Sequence, residues 1–153
     1  DLENPEDFIQ QLQDKESLKE KLGLKTEELD KVYARADTLL RENNIQDAEA
    51  VAQFLLMFDS KNSMYWVAYG ITLLRQEKIE EAKQAFSMSV VLNNQNAWAF
   101  YYLAETLIAA NEKDQAREVL QELIPELVKV KELSDLLEMA KQLQSSIQEF
   151  KKV

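Results

Sequence analysis

Glu80 and Glu81 stand side by side, an arrangement from which a general acid and a general base can be imagined. Both fall at the expected start of a helix, where solvated acids are the ordinary finding. The sequence holds no histidine and no cysteine. That removes the commonest general base, the thiol nucleophile and every imidazole or thiolate metal ligand. An enzyme is therefore not expected, and neither is a cofactor or a metal. A second group of residues offers contact instead of catalysis. Tyr33, Leu40, Met64, Val67, Ile71, Leu74, Trp98, Tyr101 and Ile108, with Asp37 and Glu105 among them, form a mostly aromatic and aliphatic set. Gathered on one face, such a set makes an apolar patch of the kind that usually marks a binding site.

The elements that would gather them follow from a repeat. Sliding the chain against itself by 34 residues aligns Val32 with Trp66 and Phe100, Ala36 with Gly70 and Ala104, and Leu39 with Leu73 and Leu107. The same shift aligns Ala48, Ala82 and Ala116, then Ala52, Phe86 and Leu120, then Leu55, Ser89 and Leu123. A large residue, a small one four later, an alanine twelve further on and a bulky residue four beyond that is the tetratricopeptide pattern of paired helices. Ala36, Gly70 and Ala104 must be small where the two helices of a unit cross, and Ala48, Ala82 and Ala116 do the same on the second helix. Val32, Trp66 and Phe100 fill the space between units, so Trp66 is a core residue. Asn43-Asn44, Gln76-Glu77-Lys78 and Asn111-Glu112 form the turns, with Asn supplying the left-handed conformation in place of glycine.

Composition agrees. Of 153 residues, 46% are apolar and only 2 are Gly and 2 Pro, which leaves little turn chemistry for hairpins. Helix formers dominate, so the fold class is all-α, with one core. The expected architecture is three tetratricopeptide repeats in a right-handed helical solenoid, with an N-terminal helical segment and a C-terminal capping helix. The boundaries are 1–24 for the N-terminal segment, 25–128 for the repeats (about 29–62, 63–96 and 97–128) and 129–153 for the cap. Asn4-Pro5-Glu6-Asp7 reads as a helix start, and Phe8, Ile9, Leu12, Leu18 and Leu22 continue it until Gly23. This segment is expected to cap the solenoid or to form a homodimer contact. Thr26, Glu27 and Glu28 open the first repeat helix, and Pro125 is expected to break or kink the last one. Leu133, Leu137, Ala140, Leu143, Ile147 and Phe150 then mark one face of the final helix.

Partners are bounded by charge. A net charge of −10 without a basic patch argues against nucleic acid and anionic membrane. No apolar run approaches the roughly 18 residues that span a bilayer, and no signal peptide is visible. The chain starts at Asp1 and not at Met, which points to a trimmed N-terminus. The absence of cysteine suits a reducing cytosol.

In a helical-repeat solenoid the first helix of each pair builds the concave face, and the residues offset from the core positions line it. These are Asp30, Tyr33, Asp37, Leu40 and Arg41, then Met64, Val67, Ile71, Leu74 and Arg75, then Trp98, Tyr101, Glu105, Ile108 and Ala109. The alternative is that some of them pack under the terminal helices. A groove for an acidic peptide tail needs Lys, Arg and Asn, whereas Asp30, Asp37 and Glu105 would repel one. The groove suits an extended peptide with apolar anchors. Three buried anchors at about 1.5 to 3 kcal/mol each, largely offset by the costs of association, give a moderate and releasable complex.

The run LDKVYARADTLLRENNIQDAEAVAQFLLMFDSKNSMYWVAYGITLLRQEKIEEAKQAFSMSV, followed by YYLAETLIAANEKDQAREVL, resembles the class II chaperones of bacterial type III secretion systems. Tyr33 in LDKVY, Asp59 at the close of the first repeat and Ala104-Glu105 in the third carry the resemblance beyond a generic repeat. The sequence departs at Asn44, Phe100 and Thr106, where members often carry Gly, Pro and Cys. The resemblance implies a bacterial cytoplasmic chaperone whose groove holds an extended N-terminal segment of a secreted hydrophobic translocator. It makes Tyr33, Leu40, Leu74 and Tyr101 peptide contacts, and implies neither catalysis nor direct membrane insertion. A needle-subunit chaperone, or a tetratricopeptide scaffold in another complex, is the alternative.

Overall fold

The computed structural model describes Gly23 and residues 25–149. The N-terminal helix start and apolar stripe, the dimer contact expected of them, and Phe150 lie outside the described residues. Among the described residues there are seven α-helices and no strand: α1 (Thr26–Arg41), α2 (Ile45–Phe58), α3 (Ser63–Arg75), α4 (Ile79–Leu92), α5 (Ala97–Ala109), α6 (Lys113–Val128) and α7 (Ser134–Glu149). A short 3-10 turn over Lys131–Leu133 precedes α7. Each helix packs on its neighbours in sequence, and α1 also touches α3, α3 touches α5, and α5 touches α7. This is the contact pattern of three helix pairs stacked in a row, closed at one end by α7.

The helix boundaries have local causes. Asn62 caps α3 by accepting from the backbone N–H groups of Met64 and Tyr65 at 2.9 and 3.3 Å, and Asn96 caps α5 by accepting from Ala99 at 3.3 Å. Within each pair the turn is built the same way. Asn43, Glu77 and Asn111 sit at φ of 60, 61 and 64°. The next residue in each case donates its N–H back to Leu39, Leu73 or Leu107 at 2.8 to 3.0 Å, closing the helix end that these turns require.

Two of these left-handed positions are Asn, which tolerates the conformation, and the third is Glu77, which does not. Glu77→Asn is therefore expected to stabilise the fold by about 0.5 to 1 kcal/mol, read as a higher urea midpoint at unchanged slope. No change in midpoint would mean that the turn is relaxed in another way.

The small residues of the repeat are where helices meet. Ala48, Ala82, Ala104 and Ala116 are fully buried, and Gly70 lies against the ring of Phe86, itself fully buried. Trp66 is buried as well, its indole N–H donating to the Ser60 carbonyl at 2.8 Å. Ser89, which replaces the leucines at its repeat position, is also buried, and its hydroxyl donates to the Ser63 carbonyl at 2.8 Å. Asn96 donates to the Ser63 hydroxyl at 2.8 Å, so one satisfied polar knot ties α3, α4 and the start of α5 together. Thr72 and Thr106 are buried too, each returning its hydroxyl proton to a carbonyl of its own helix.

Pro125 does not end the last repeat helix. α6 continues through it to Val128. Pro125 and Gln121, whose carbonyl loses its usual donor, are both exposed, so water can serve the freed group. On α7, Leu136, Ala140 and Ile147 are buried, with Leu137 and Leu143 partly so; Leu133, expected on this helix, is also partly buried but lies in the 3-10 turn before it. Leu136 was not among the residues expected there.

Candidate peptide-binding groove

α1, α3 and α5 lie side by side, and the residues expected on their common face fall into two groups. Tyr33, Met64, Ile71, Leu74, Trp98, Glu105 and Ile108 are half-buried, and Asp37 is exposed. Leu40, Val67 and Tyr101 are buried, at 8, 3 and 8% exposure, and offer almost no surface to a ligand. Leu40 joins a cluster with Leu39, Ala48 and Ile71. Val67 joins the central cluster with Leu73, Phe86 and the partly buried Tyr102. Tyr101 belongs to the cluster that contains Leu127, Leu136, Ala140 and Ile147, so it packs at the capping end of the solenoid.

Tyr102 is the residue that the sequence reading missed. Its ring stacks on Phe86 at 5.5 Å between centroids and on Trp98 at 6.3 Å. Its phenol feels the charges of Glu105, Arg75 and Asp37, and Tyr33 in turn feels Tyr102. Side chains from all three repeats therefore converge on it. Tyr33 stacks on Tyr65 at 5.7 Å, which joins α1 to α3. The signal was present in the repeat alignment, where Tyr102 occupies the position held by Ala34 and Ala68. An aromatic ring where sister repeats carry alanine fills space that only the third repeat needs filled.

The charged residues have distinct states. Arg41 pairs with Asp37 at 3.0 Å one turn away. Arg75 reaches across from α3 to donate to the Leu40 carbonyl of α1 at 2.6 Å, adding a donor at a helix end rich in free carbonyls. Burial raises the Tyr33 and Tyr102 phenols, and carboxylates nearby add to it, so both remain protonated donors at neutral pH. Burial likewise pushes Tyr101 up to about 12, with Glu105 contributing.

Burial also holds the Glu105 carboxyl above its ordinary value of 4.5, with Arg75 opposing part of the effect. The folded chain thus keeps this proton more tightly than the unfolded one, and stability falls as pH rises from the ordinary value through the raised one. Glu105→Gln cannot ionise. It is expected to be more stable than the parent at neutral pH and to lose that advantage at about pH 3, where the carboxyl is protonated in both states. Urea melts at the two pH values measure this, and an equal difference at both would contradict it.

Glu80 and Glu81 are exposed in the first turn of α4, and Glu80 pairs with Lys83 at 3.3 Å. Among the described residues no group of three or more carboxylates is placed to hold a metal ion. No helix among them is long and apolar enough to cross a membrane. The common face of α1, α3 and α5 presents aromatic rings, aliphatic edges, phenol donors and one half-buried carboxylate.

These helix pairs define a tetratricopeptide-repeat solenoid. The tetratricopeptide repeat family model matches residues 73–141. The search of curated proteins gives no match. Solved structures match over most of the chain. A T3SS complex from Aeromonas hydrophila is 18% identical, covers 93% of this chain and 95% of its own, and superposes with a TM-score of 0.82. The type III secretion translocator chaperone SycD of Yersinia enterocolitica is 17% identical over 86% of this chain and 98% of its own, at 0.79. SycD in complex with a peptide of the translocator YopD is 19% identical over 84% of this chain and 98% of its own, at 0.74. At these identities the likeness is one of fold.

Proposed function

We propose that the protein is a chaperone of a bacterial type III secretion system, acting in the cytoplasm to keep a hydrophobic translocator soluble and ready for secretion. It binds an extended segment of that cargo in the trough formed by α1, α3 and α5, with Tyr33, Met64, Ile71, Leu74, Trp98, Tyr102 and Ile108 receiving apolar anchors. It works by shielding apolar surface, with no chemical step. The observation that carries the reading is the aromatic and aliphatic face on the first helices of the repeats, which the other described residues leave half-buried. The same fold, seen over most of the chain in SycD with its YopD peptide, supports it. Affinity on the order of micromolar follows from a few anchors set against ordering costs.

Co-expression with hydrophobic translocators of type III secretion systems tests the proposal. Co-purification of a translocator, followed by saturable binding of peptides from its N-terminal region, is the expected result. Failure with every translocator, together with capture of a needle subunit, would move the function to another cargo of the same machine.

A further inference from the structure

We infer that the groove selects a cargo segment carrying a lysine or arginine between its apolar anchors, and that Glu105 is the residue that receives this cation. The inference rests on the peptide-groove reading above and adds a specificity determinant to it. Glu105 stands on α5 one turn beyond Tyr101 and Tyr102, and its charge reaches both phenols. It is half-buried, and no hydrogen bond or ion pair reaches its carboxylate among the described residues.

The two arginines of the face are engaged elsewhere, Arg41 with Asp37 and Arg75 with the Leu40 carbonyl. Asp30 is exposed and hydrated, and Asp37 already has a partner. Glu105 combines partial desolvation with no ion pair among the described residues, and the charge of Arg75 offsets only part of that cost. A carboxylate in that state is costly until a cation meets it. The stacked rings of Tyr102 and Trp98 suit the same visitor, since they offer apolar contact to the methylene stem that carries a cationic head. The net charge of −10 draws such a segment in and repels an acidic one.

The test uses an overlapping array of 12-residue peptides from the N-terminal regions of type III secretion translocators. The tightest binder is remade with each Lys or Arg replaced by Met and titrated against the parent protein, Glu105→Gln and, as a control for loss of one exposed charge away from the groove, Glu81→Gln. At one basic position the replacement is expected to weaken binding to the parent and to Glu81→Gln about tenfold, a factor ordinary for a charge-assisted hydrogen bond shielded from water. The same replacement is expected to change binding to Glu105→Gln by less than about twofold, because that variant has already lost the charge. A tightest peptide without a basic residue, or equal losses in the parent and Glu105→Gln, overturns the inference while leaving the groove intact. Absence of binding by every peptide overturns the groove reading and the inference together.

Discussion

Gly70→Val is expected to cost about 3 kcal/mol and to lower the unfolding midpoint by about 6 to 12 °C. A Cβ added at Gly70 would sit 2.6 to 2.9 Å from three carbons of the Phe86 ring, well inside contact distance. Phe86 cannot yield, because it is fully buried and stacked on Tyr102. Gly70→Ala brings two opposing effects, a gain of about 1 kcal/mol in helix propensity against an overpacking cost of about 1 to 3. Its net loss is expected to be smaller, and pairing it with Phe86→Leu should recover part of that loss by making room. Recovery in the double variant, measured as a non-additive cycle, would assign the cost to this contact. Additive losses would mean that Gly70 is required for a different reason.

Tyr33→Asp is expected to weaken cargo binding by at least about thirtyfold, the loss of one aromatic anchor plus a repulsive charge, while shifting the melting midpoint little. Tyr33 is half-buried on the first repeat and faces the trough, so a carboxylate there stays hydrated. Tyr101→Asp behaves differently. Tyr101 is 8% exposed within the cluster that contains α7, and a charge placed there has no partner, so both folding and binding should suffer. The sequence alone put these two tyrosines in the same role. The structure separates them, because Tyr33 is half-buried on α1 and Tyr101 is buried in the cluster that contains α7.

That separation shows where sequence reading stops. The 34-residue spacing located the helix pairs, the small residues at their crossings and two of the three left-handed turn residues, because each of these depends on one or two neighbours along a repeat. Repeat logic also assumes that equivalent positions meet equivalent surroundings. At the last repeat they do not, since the face of α5 that would meet a further repeat meets α7, and Tyr101 is buried there. Val67 and Leu40 were assigned to the groove by the same equivalence, yet neighbouring helices cover them. Tyr102 escaped notice because its sister positions are Ala34 and Ala68, although that departure was itself the clue. That Glu105 makes no ion pair among the described residues was not legible at all. It depends on where two arginines on other helices spend their hydrogen bonds. Pro125 was read as a break or kink because a helix interior normally punishes proline; the helix runs on through it, with the freed Gln121 carbonyl open to water.

The most direct test of the account is an amide NMR titration of the isotope-labelled protein with the translocator peptide that binds most tightly. Shift changes concentrated on α1, α3 and α5 around Tyr33, Met64, Ile71, Trp98, Tyr102 and Glu105, saturating on the order of micromolar, are the expected result. Shift changes confined to the cleft of about 640 Å³ between α4 and α6, lined by Lys83, Gln84, Ser87 and Val119, would place the cargo site elsewhere and contradict the account.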